Sequence, residues 1–262
     1  MILLLICALA LAEWRITRDN VGTPWNGYGA IEGVLRRNTP APMRYRVLAA
    51  WLLGWLPKSK RLVGYAIFKV LLLACALLLA HPLLGLNGTV VLAFLIAITF
   101  EYDYWDCYAE LIGVLSCLHP SPWVALVGSI VWGLSRETVF LAPAIRFVAG
   151  GNPWFALSGL VAFGLVRLVQ GDAKLYCERW TFFKYNVHDL KLCLKAADTG
   201  PMLALLWTGE TLVVAVWGHL PEPLASTWMF PLVWLGAGWL MGRAREVRIF
   251  LPCAIWIAGA LI

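Results

Sequence analysis

The stretch LVGYAIFKVLLLACALLLA occupies residues 62–80 and contains one charged side chain, Lys69. As a helix it would be about 28 Å long, close to the ~30 Å hydrocarbon thickness of a bilayer. Similar apolar runs, bounded by charged residues, Pro or Gly, lie at 1–14, 46–57, 88–101, 107–118, 122–147, 153–170, 201–218, 226–242 and 247–262. The repeated pattern predicts an all-α, polytopic integral membrane bundle of about seven to ten membrane helices.

The composition excludes an ordinary soluble domain. Of the residues, 61% are hydrophobic and 14% are charged, whereas a soluble domain carries roughly 25% charged residues. The 15 Trp residues suit the boundary between lipid headgroups and acyl chains. We therefore expect one transmembrane domain over residues 1–262. The net charge of +6 comes from cations between the apolar runs, which favours membrane lipids over nucleic acid as partners.

Several apolar runs hold only ten to fourteen residues, fewer than the roughly 20 that a perpendicular membrane helix needs. These runs predict short, broken or re-entrant helices whose ends are covered by protein. The first run ends in Ala8-Leu9-Ala10, which resembles a signal-peptide cleavage site. Because no Lys or Arg precedes it, we interpret it as a retained first span, with a cleaved signal peptide as the alternative.

Two long polar connections, near 13–46 and 171–200, combine Arg or Lys with aromatic residues. In the first, Tyr28, Ile31, Val34 and Leu35 share one face of a predicted helix over 28–37. This composition predicts interfacial segments that lie along the membrane surface on the same side. The positive-inside rule makes that side cytoplasmic, whereas the binding of an anionic substrate would make it external, and the sequence leaves both orientations open.

Charged residues inside the apolar runs are the first candidates for function, because an unpaired charge is costly in hydrocarbon. They are Lys69, Arg136, Glu137 and Glu210. In one interpretation Lys69 or Arg136 pairs with Glu137 or Glu210 and joins helices. In the other they line a functional site or path. We expect one helix from Pro122 to Val148, in which adjacent side chains point about 100° apart and need separate partners. Glu137 is then expected to face the protein interior, within reach of a basic residue of the first polar connection or of Lys69, and Arg136 to point towards a polar cavity.

The segment Glu101-Tyr-Asp-Tyr-Trp-Asp106 places three carboxylates among three aromatic rings at the end of an apolar run. Such carboxylates suit a general base or a metal-bridged sugar phosphate, although an aromatic belt with solvated acids has the same composition. The chain contains no HExxH, P-loop or GxSxG motif, which argues against zinc peptidases, P-loop ATPases and classical lipases. The seven Cys residues occur singly, without C-x-x-C, and do not indicate a structural zinc site.

Four segments together resemble bacterial polytopic proteins of the GT-C glycosyltransferase-like superfamily. One is Glu101 to Asp106, which lies where these proteins carry an Asp upstream of their Arg-Glu-Thr helix. Pro42-Met-Arg-Tyr-Arg-Val-Leu48 is similar to their Arg-Tyr-Arg-Val-Leu segment after the first external loop. Gly133-Leu-Ser-Arg-Glu-Thr138 with Pro143 resembles their Arg-Glu-Thr helix, and Glu246-Val-Arg-Ile-Phe-Leu-Pro252 resembles a late segment. Their order matches over most of the chain, but Ala49-Ala50 replaces the Pro usual after Arg-Val-Leu, and the chain is short for the group.

The resemblance implies sugar transfer from a polyprenyl-phosphate donor to an envelope acceptor in the bacterial inner membrane. Carried over by position, Asp19 and Glu137 would be catalytic carboxylates. Residues lining the substrate and lipid phosphate would be Arg44, Arg46, Arg136, Asp103 and Asp106. The resemblance leaves open whether a divalent cation takes part. The alternative is a non-enzymatic membrane protein, either a lipid or small-molecule transporter with Lys69 and Glu210 along its path, or a subunit bound to another membrane protein.

Overall fold

The computed structural model describes residues 2–19, 27–36, 46–98, 105–171, 184–188, 191, 206–214, 219–241 and 247–261. Every regular element within these ranges is helical, and they contain no strand. The all-α prediction is therefore confirmed for the described part of the chain. The α-helices are α1 (Ile2–Asp19), α2 (Gly27–Leu35), α3 (Leu48–Gly54), α4 (Lys58–Ala97), α5 (Asp106–Leu118), α6 (Pro122–Gly133), α7 (Ala142–Val148), α8 (Leu157–Gln170), α9 (206–214), α10 (Met229–Met241) and α11 (Ala254–Ala260).

Helix α5 lies at the centre of the bundle, because all of its residues are buried. It packs against α4, α6, α7 and the 3-10 helix Val247–Cys253. At thirteen residues it is about 20 Å long, too short to cross a bilayer alone. This matches the prediction of short helices whose ends are covered by protein.

Helix α4 merges two predicted runs, 62–80 and 88–101, into one 40-residue element. Gly85 interrupts it with φ 64° and ψ −171°, a conformation that glycine adopts without the steric penalty of a Cβ atom. Before this break, α4 exposes Val63, Ile67, Leu71 and Leu78. Because water does not favour such a surface, this outward face suits contact with lipid.

Two segments of the described chain, Lys58–Ala97 and Pro153–Gln170, are long and apolar enough to cross a membrane. The second segment includes α8, which exposes Val161, Leu165 and Leu168. Shorter apolar helices occur at Pro122–Gly133 and Phe250–Ala260. The structure thus supports membrane-compatible helices, whereas a count of about seven to ten membrane helices stays a prediction.

Helices α6 and α8 approach each other through glycine. A Cβ atom on Gly133 would overlap the carbonyl oxygen of Gly159, and one on Gly159 would overlap the carbonyl oxygen of Ser129. Small residues allow such close backbone contact, which is common between membrane helices.

The prediction of one helix from Pro122 to Val148 is wrong. Helix α6 ends at Gly133, Arg136 is extended (φ −149°, ψ 146°), and a 3-10 helix, Glu137–Leu141, leads into α7. Pro143 lies in the first turn of α7, where its missing N–H does no harm. In a helix interior its ring would instead clash with the preceding turn. Arg136 and Glu137 therefore lie in a connection between helices.

The boundaries of the first polar connection also change. Helix α1 continues to Asp19, so residues 13–19 are helical. The predicted helix over 28–37 is present as α2, in which Ile31 and Val34 are buried while Leu35 is 38% exposed. In the second connection, residues 184–188 are helical, and most of 171–200 lies outside the described residues.

Candidate functional site: an arginine–carboxylate cluster

Two of the segments that carry the family resemblance meet through their backbones. The amide N–H groups of Val47 and Leu48 both donate to the carbonyl oxygen of Leu134, at 2.9 and 3.1 Å. This contact places Arg46, at the end of the first polar connection, beside Arg136, at the break between α6 and α7. Sequence order alone predicts no such proximity, because 90 positions separate the two arginines (136 − 46).

Asp106, the first residue of α5, forms ion pairs with the guanidinium groups of both arginines. Arg46 Nη1 donates to Asp106 Oδ2 at 2.7 Å, and Arg136 Nε lies 3.2 Å from the same oxygen. The Arg136 Nε contact is an ion pair without hydrogen-bond alignment. The side chains of Arg46 and Arg136 are each 10% exposed, and that of Asp106 is 4% exposed, so water screens these charges weakly.

Glu110 is the most enclosed carboxylate of the cluster, with no exposed surface. Arg136 Nη1 donates to Glu110 Oε2, while the Thr138 hydroxyl and Trp234 Nε1 donate to Oε1, the latter at 3.3 Å. Trp132 Nε1 in turn donates to Thr138 Oγ1 at 3.0 Å. Because both oxygens are engaged, Glu110 is suited to hold Arg136 in place and poorly suited to accept a proton from a substrate.

Glu137 differs from the other two carboxylates. Its Oε1 atom lies 3.7 Å from Arg46 Nη2, and its side chain is 41% exposed. Its Oε2 atom is nevertheless buried and makes no hydrogen bond within the described structure. Arg46 is the basic residue of the first polar connection that was expected near Glu137, but the Glu137 side chain does not face the protein interior, since 41% of it is exposed.

We call Arg46, Asp106, Glu110, Arg136 and Glu137 the arginine–carboxylate cluster. With all groups ionised, two positive charges face three negative charges, which leaves a formal charge of −1. Glu137 carries the surplus, since it makes the longest ion pair and is the most exposed of the three acids. Among the described residues, the cluster therefore offers no surplus positive charge to a further anion.

A second ionic group is separate from this cluster. Lys69 Nζ and the Tyr108 hydroxyl both donate to Glu13, one to each carboxylate oxygen, and all three side chains are buried. Lys69 Nζ also lies 5.2 Å from the centre of the Tyr65 ring, within the range of a cation–π contact. This Glu13–Lys69–Tyr108 triad joins α1, α4 and α5. The interpretation that Lys69 pairs with Glu137 or Glu210 is wrong, since its carboxylate partner is Glu13.

Helix geometry explains why α5 serves both groups. Asp106 and Glu110 are four residues apart and share one face, whereas Tyr108, two residues from each, points about 160° away from either of them. The first turns of α5 thus present carboxylates to the arginines and a phenol to Glu13 and Lys69. Carboxylates at a helix N-terminus also interact favourably with the helix dipole.

The remaining predicted site residues do not join the cluster in the described structure. Asp19 is exposed and lies 3.6 Å from Arg15 Nε and 3.2 Å from Arg18 Nη2 on its own helix. Glu210 is exposed on α9. Arg44 and Asp103 lie outside the described residues.

Three residues of these groups were not predicted: Glu13, Tyr108 and Glu110. Glu110 interrupts the apolar run 107–118 just as Glu137 interrupts 122–147, so the rule for charges within apolar runs should have included it. Glu13 ends the first run and was assigned to the loop. Tyr108 carries no sequence signal that distinguishes it from other interfacial tyrosines.

The predicted arrangement of Arg136 is corrected as well. Its donors engage Asp106 and Glu110, so it does not point into an open polar cavity. The described residues contain no group of three or more His, Cys, Asp or Glu that could hold a metal ion. The possibility of a divalent cation therefore gains no support from this part of the chain.

A cavity of about 540 Å³ lies near the other end of α5, lined in part by Pro82, Pro120, Arg146 and Glu222. Arg146 donates to the carbonyl oxygens of Cys117, His119 and Pro120. These bonds satisfy carbonyl groups that the end of a helix leaves free, and they place a cation at the negative end of the helix dipole. Arg146 thus has a structural role at the C-terminus of α5.

Comparisons of the chain with protein-family models, curated protein sequences and solved structures find no match. What the cluster does must therefore follow from its own residues and geometry.

Proposed function

We propose that this chain is a polytopic protein of the bacterial inner membrane, similar to GT-C glycosyltransferases, that transfers a sugar from a polyprenyl-phosphate donor to an envelope acceptor. The observation that carries the proposal is the environment of Glu137. Its side chain is partly exposed, its Oε2 atom is buried and has no hydrogen-bond donor among the described residues, and Arg46 Nη2 lies 3.7 Å from its other oxygen. In the proposed reaction this oxygen accepts the proton of an acceptor hydroxyl that reaches it in the bound complex, because catalytic hydrogen bonds often form only there.

In this reaction the acceptor hydroxyl oxygen bonds to the anomeric carbon of the donor sugar. The bond from that carbon to the phosphate oxygen breaks, and polyprenyl phosphate leaves with the bonding electrons. Glu137 takes the hydroxyl proton. Arg46 orients Glu137, while Asp106 and Glu110 hold the two arginines, so these four residues act as positioning residues.

The charge balance limits where the lipid phosphate can bind. Arg46 and Arg136 already face three carboxylates, and a phosphate placed between them would meet a surplus of negative charge. We therefore propose that the lipid phosphate binds to basic residues other than these two arginines, and Arg44, which lies outside the described residues, is the sequence candidate.

The same charge balance supports a second candidate, a non-enzymatic membrane protein in which the cluster joins helices. Two arginines neutralised by neighbouring carboxylates are what a structural ionic network requires. In that case Glu137 is the exposed edge of the network and has no chemical role.

Glu137→Gln separates the two candidates, because it keeps the side-chain shape and removes the charge. The assay measures glycolipid formation by the purified protein in liposomes supplied with a panel of radiolabelled polyprenyl-phosphate sugars and an envelope lipid extract. The enzymatic candidate predicts a loss of at least about 100-fold, the lower end of general-base contributions. Glu210→Gln, a matched change at an exposed residue of α9, should retain activity.

Equal activity of folded Glu137→Gln and wild type would remove Glu137 as the base. A wild type that transfers none of the sugars would favour the non-enzymatic candidate. Elution of each variant from a sizing column in detergent checks that it is folded.

A further inference from the structure

The cavity at the C-terminal end of α5 is lined by a cation, Arg146, that differs from the other enclosed cations of the described structure. Arg46, Arg136 and Lys69 each form an ion pair with a carboxylate. Arg146 is 4% exposed, yet its hydrogen-bond partners among the described residues are all carbonyl oxygens at the end of α5. The end of a helix supplies about half a negative charge, so the guanidinium is compensated in part. Because a buried uncompensated charge is costly, the cavity favours an anion beside Arg146.

Arg146 also keeps hydrogen-bond donors for such an anion. Its Nη1 atom donates to the carbonyl oxygens of Cys117 and His119, and its Nη2 atom donates to that of Pro120 at 3.0 Å. A guanidinium has five N–H groups. The one on Nε, which is buried, and one of the two on Nη2 have no acceptor among the described residues. Gly151 lines the cavity beside this side chain, and a Cβ atom there would overlap the guanidinium.

The negative charge at this cavity is Glu222. It lines the same space and is exposed, and none of the ion pairs or hydrogen bonds found among the described residues involves it. The volume of about 540 Å³ lies within the ~300–1,000 Å³ of typical ligand sites, so one small molecule can contact both charged residues. A cavity with a cation on one wall and an anion on another is complementary to a zwitterion.

The cavity lies at the far end of α4 from the exposed Lys58. Pro82, which lines the cavity, is 24 residues after Lys58 (82 − 58). This length of helix rises about 36 Å, enough to cross the ~30 Å hydrocarbon core. Trp123 and Trp154 are exposed, and each lies three positions from a residue that lines the cavity. Because Trp favours the headgroup boundary, the cavity lies at the level of the headgroups, given the membrane location on which the proposed function also rests.

We propose that this cavity binds a zwitterion that joins a phosphate to a primary ammonium group, with the phosphate at Arg146 and the ammonium at Glu222. A guanidinium is well suited to phosphate oxygens, and a primary ammonium group donates up to three hydrogen bonds. The headgroup of phosphatidylethanolamine carries both groups at this level of the bilayer, and free phosphoethanolamine carries them without acyl chains. A quaternary ammonium, as in phosphatidylcholine, has no N–H to donate to Glu222, so the site should discriminate between the two amines.

The experiment measures binding to the full-length protein in detergent by native mass spectrometry. The probes are short-chain phosphatidylethanolamine, phosphatidylcholine and phosphatidylglycerol, together with free phosphoethanolamine. We expect the wild type to bind phosphatidylethanolamine about tenfold more tightly than phosphatidylcholine, the effect of one hydrogen bond to a charged group. Glu222→Gln should remove most of this preference. Glu222→Lys should reverse it towards phosphatidylglycerol, which is anionic and has no amine. Such a gain of binding is not a result of misfolding.

Glu210→Lys is the matched control, since it reverses an exposed carboxylate on α9, away from the cavity lining, and it should leave the lipid preference unchanged. Arg146→Gln should weaken phosphatidylethanolamine and phosphoethanolamine alike by about tenfold or more. Because Arg146 also bonds to the end of α5, helical circular dichroism checks the fold of that variant, and the Glu222 series decides the question if it does not fold.

Equal binding of phosphatidylethanolamine and phosphatidylcholine by the wild type overturns the proposal, as does a preference that survives Glu222→Lys. Tighter binding of the lipid than of free phosphoethanolamine supports a headgroup site, and equal binding supports the same site with a soluble zwitterion as its ligand. The measurement involves no sugar transfer, so its failure and that of the proposed function are distinguishable.

Discussion

Glu110→Gln is the substitution that tests most directly whether the buried cluster holds the bundle together. Glu110 accepts from Arg136 through one oxygen and from Thr138 and Trp234 through the other. A glutamine side chain has one acceptor oxygen and one NH2 donor group. In either orientation of the amide, the NH2 group faces a donor, and Arg136 loses a charged partner.

The expected loss is large because the site is closed to water. Glu110 is fully buried, and the Arg136 side chain is 10% exposed. Removing one partner of a buried ion pair typically costs about 3–5 kcal/mol. For a chain of this size that corresponds to a decrease in melting temperature of roughly 10 °C. Asp106 remains near Arg136, which favours the lower end of the range.

The assay follows the fraction of protein that stays monodisperse in detergent after heating. Glu137→Gln is the matched control, since the chemical change is identical and belongs to the same cluster. Its carboxylate is 41% exposed and its ion pair is 3.7 Å long, so its loss should cost less than about 1 kcal/mol. Equal shifts for the two variants would refute the reasoning, because burial would then have no influence on the cost of removing the charge.

Two further predictions concern packing and the second ionic group. Glu13→Gln and Lys69→Met should each lower the melting temperature, because each removes the ion-pair partner of a buried charge. The double variant should lower it by less than the sum of the two single shifts, and additive shifts would contradict the pairing. Gly133→Ala should prevent normal folding, because its Cβ atom would overlap the backbone of Gly159, whereas Gly164→Ala on α8 has open space and should be neutral or stabilising by up to about 1 kcal/mol. Similar thermal stability of the two alanine variants would contradict the close approach of α6 and α8.

The helical character of the chain follows from its apolar runs, and so do several helices. The run 107–118 became α5, and 226–242 became Met229–Met241 with little change. In the second segment Pro231 lies in the first turn of the helix, where a missing N–H is tolerated, so the boundaries of the run are close to those of the helix. The prediction failed at 122–147, where Pro143 interrupts the segment. The segment stays apolar on both sides of such a proline, so its hydropathy shows no interruption. The hydrogen-bond pattern of a helix is interrupted there, because proline has no N–H group.

Ion-pair partners were less predictable than the charged residues themselves. Lys69 was recognised as an intramembrane charge, yet its partner Glu13 lies 56 positions away at the end of another run. Hydropathy shows that a buried charge needs a partner and gives no information about which helix supplies it. The resemblance named Arg46, Arg136 and Asp106 as residues of one site. Their ion pairs, and the participation of Glu110, follow only from the packing of α5.

The two ionic groups share α5, and this determines which substitutions can report on function. Within the first five residues of that helix, Asp106 and Glu110 hold the segments around Arg46 and Arg136, and Tyr108 bonds to the Glu13 that pairs with Lys69. Loss of any of these buried charges perturbs the contacts of α5 with its neighbours, so inactivity of such a variant would not distinguish chemistry from folding. Glu137 is attached to the same network by one long contact at its exposed edge. A change in activity at Glu137 without a change in stability would therefore indicate a chemical role, and no other carboxylate of the cluster allows that separation.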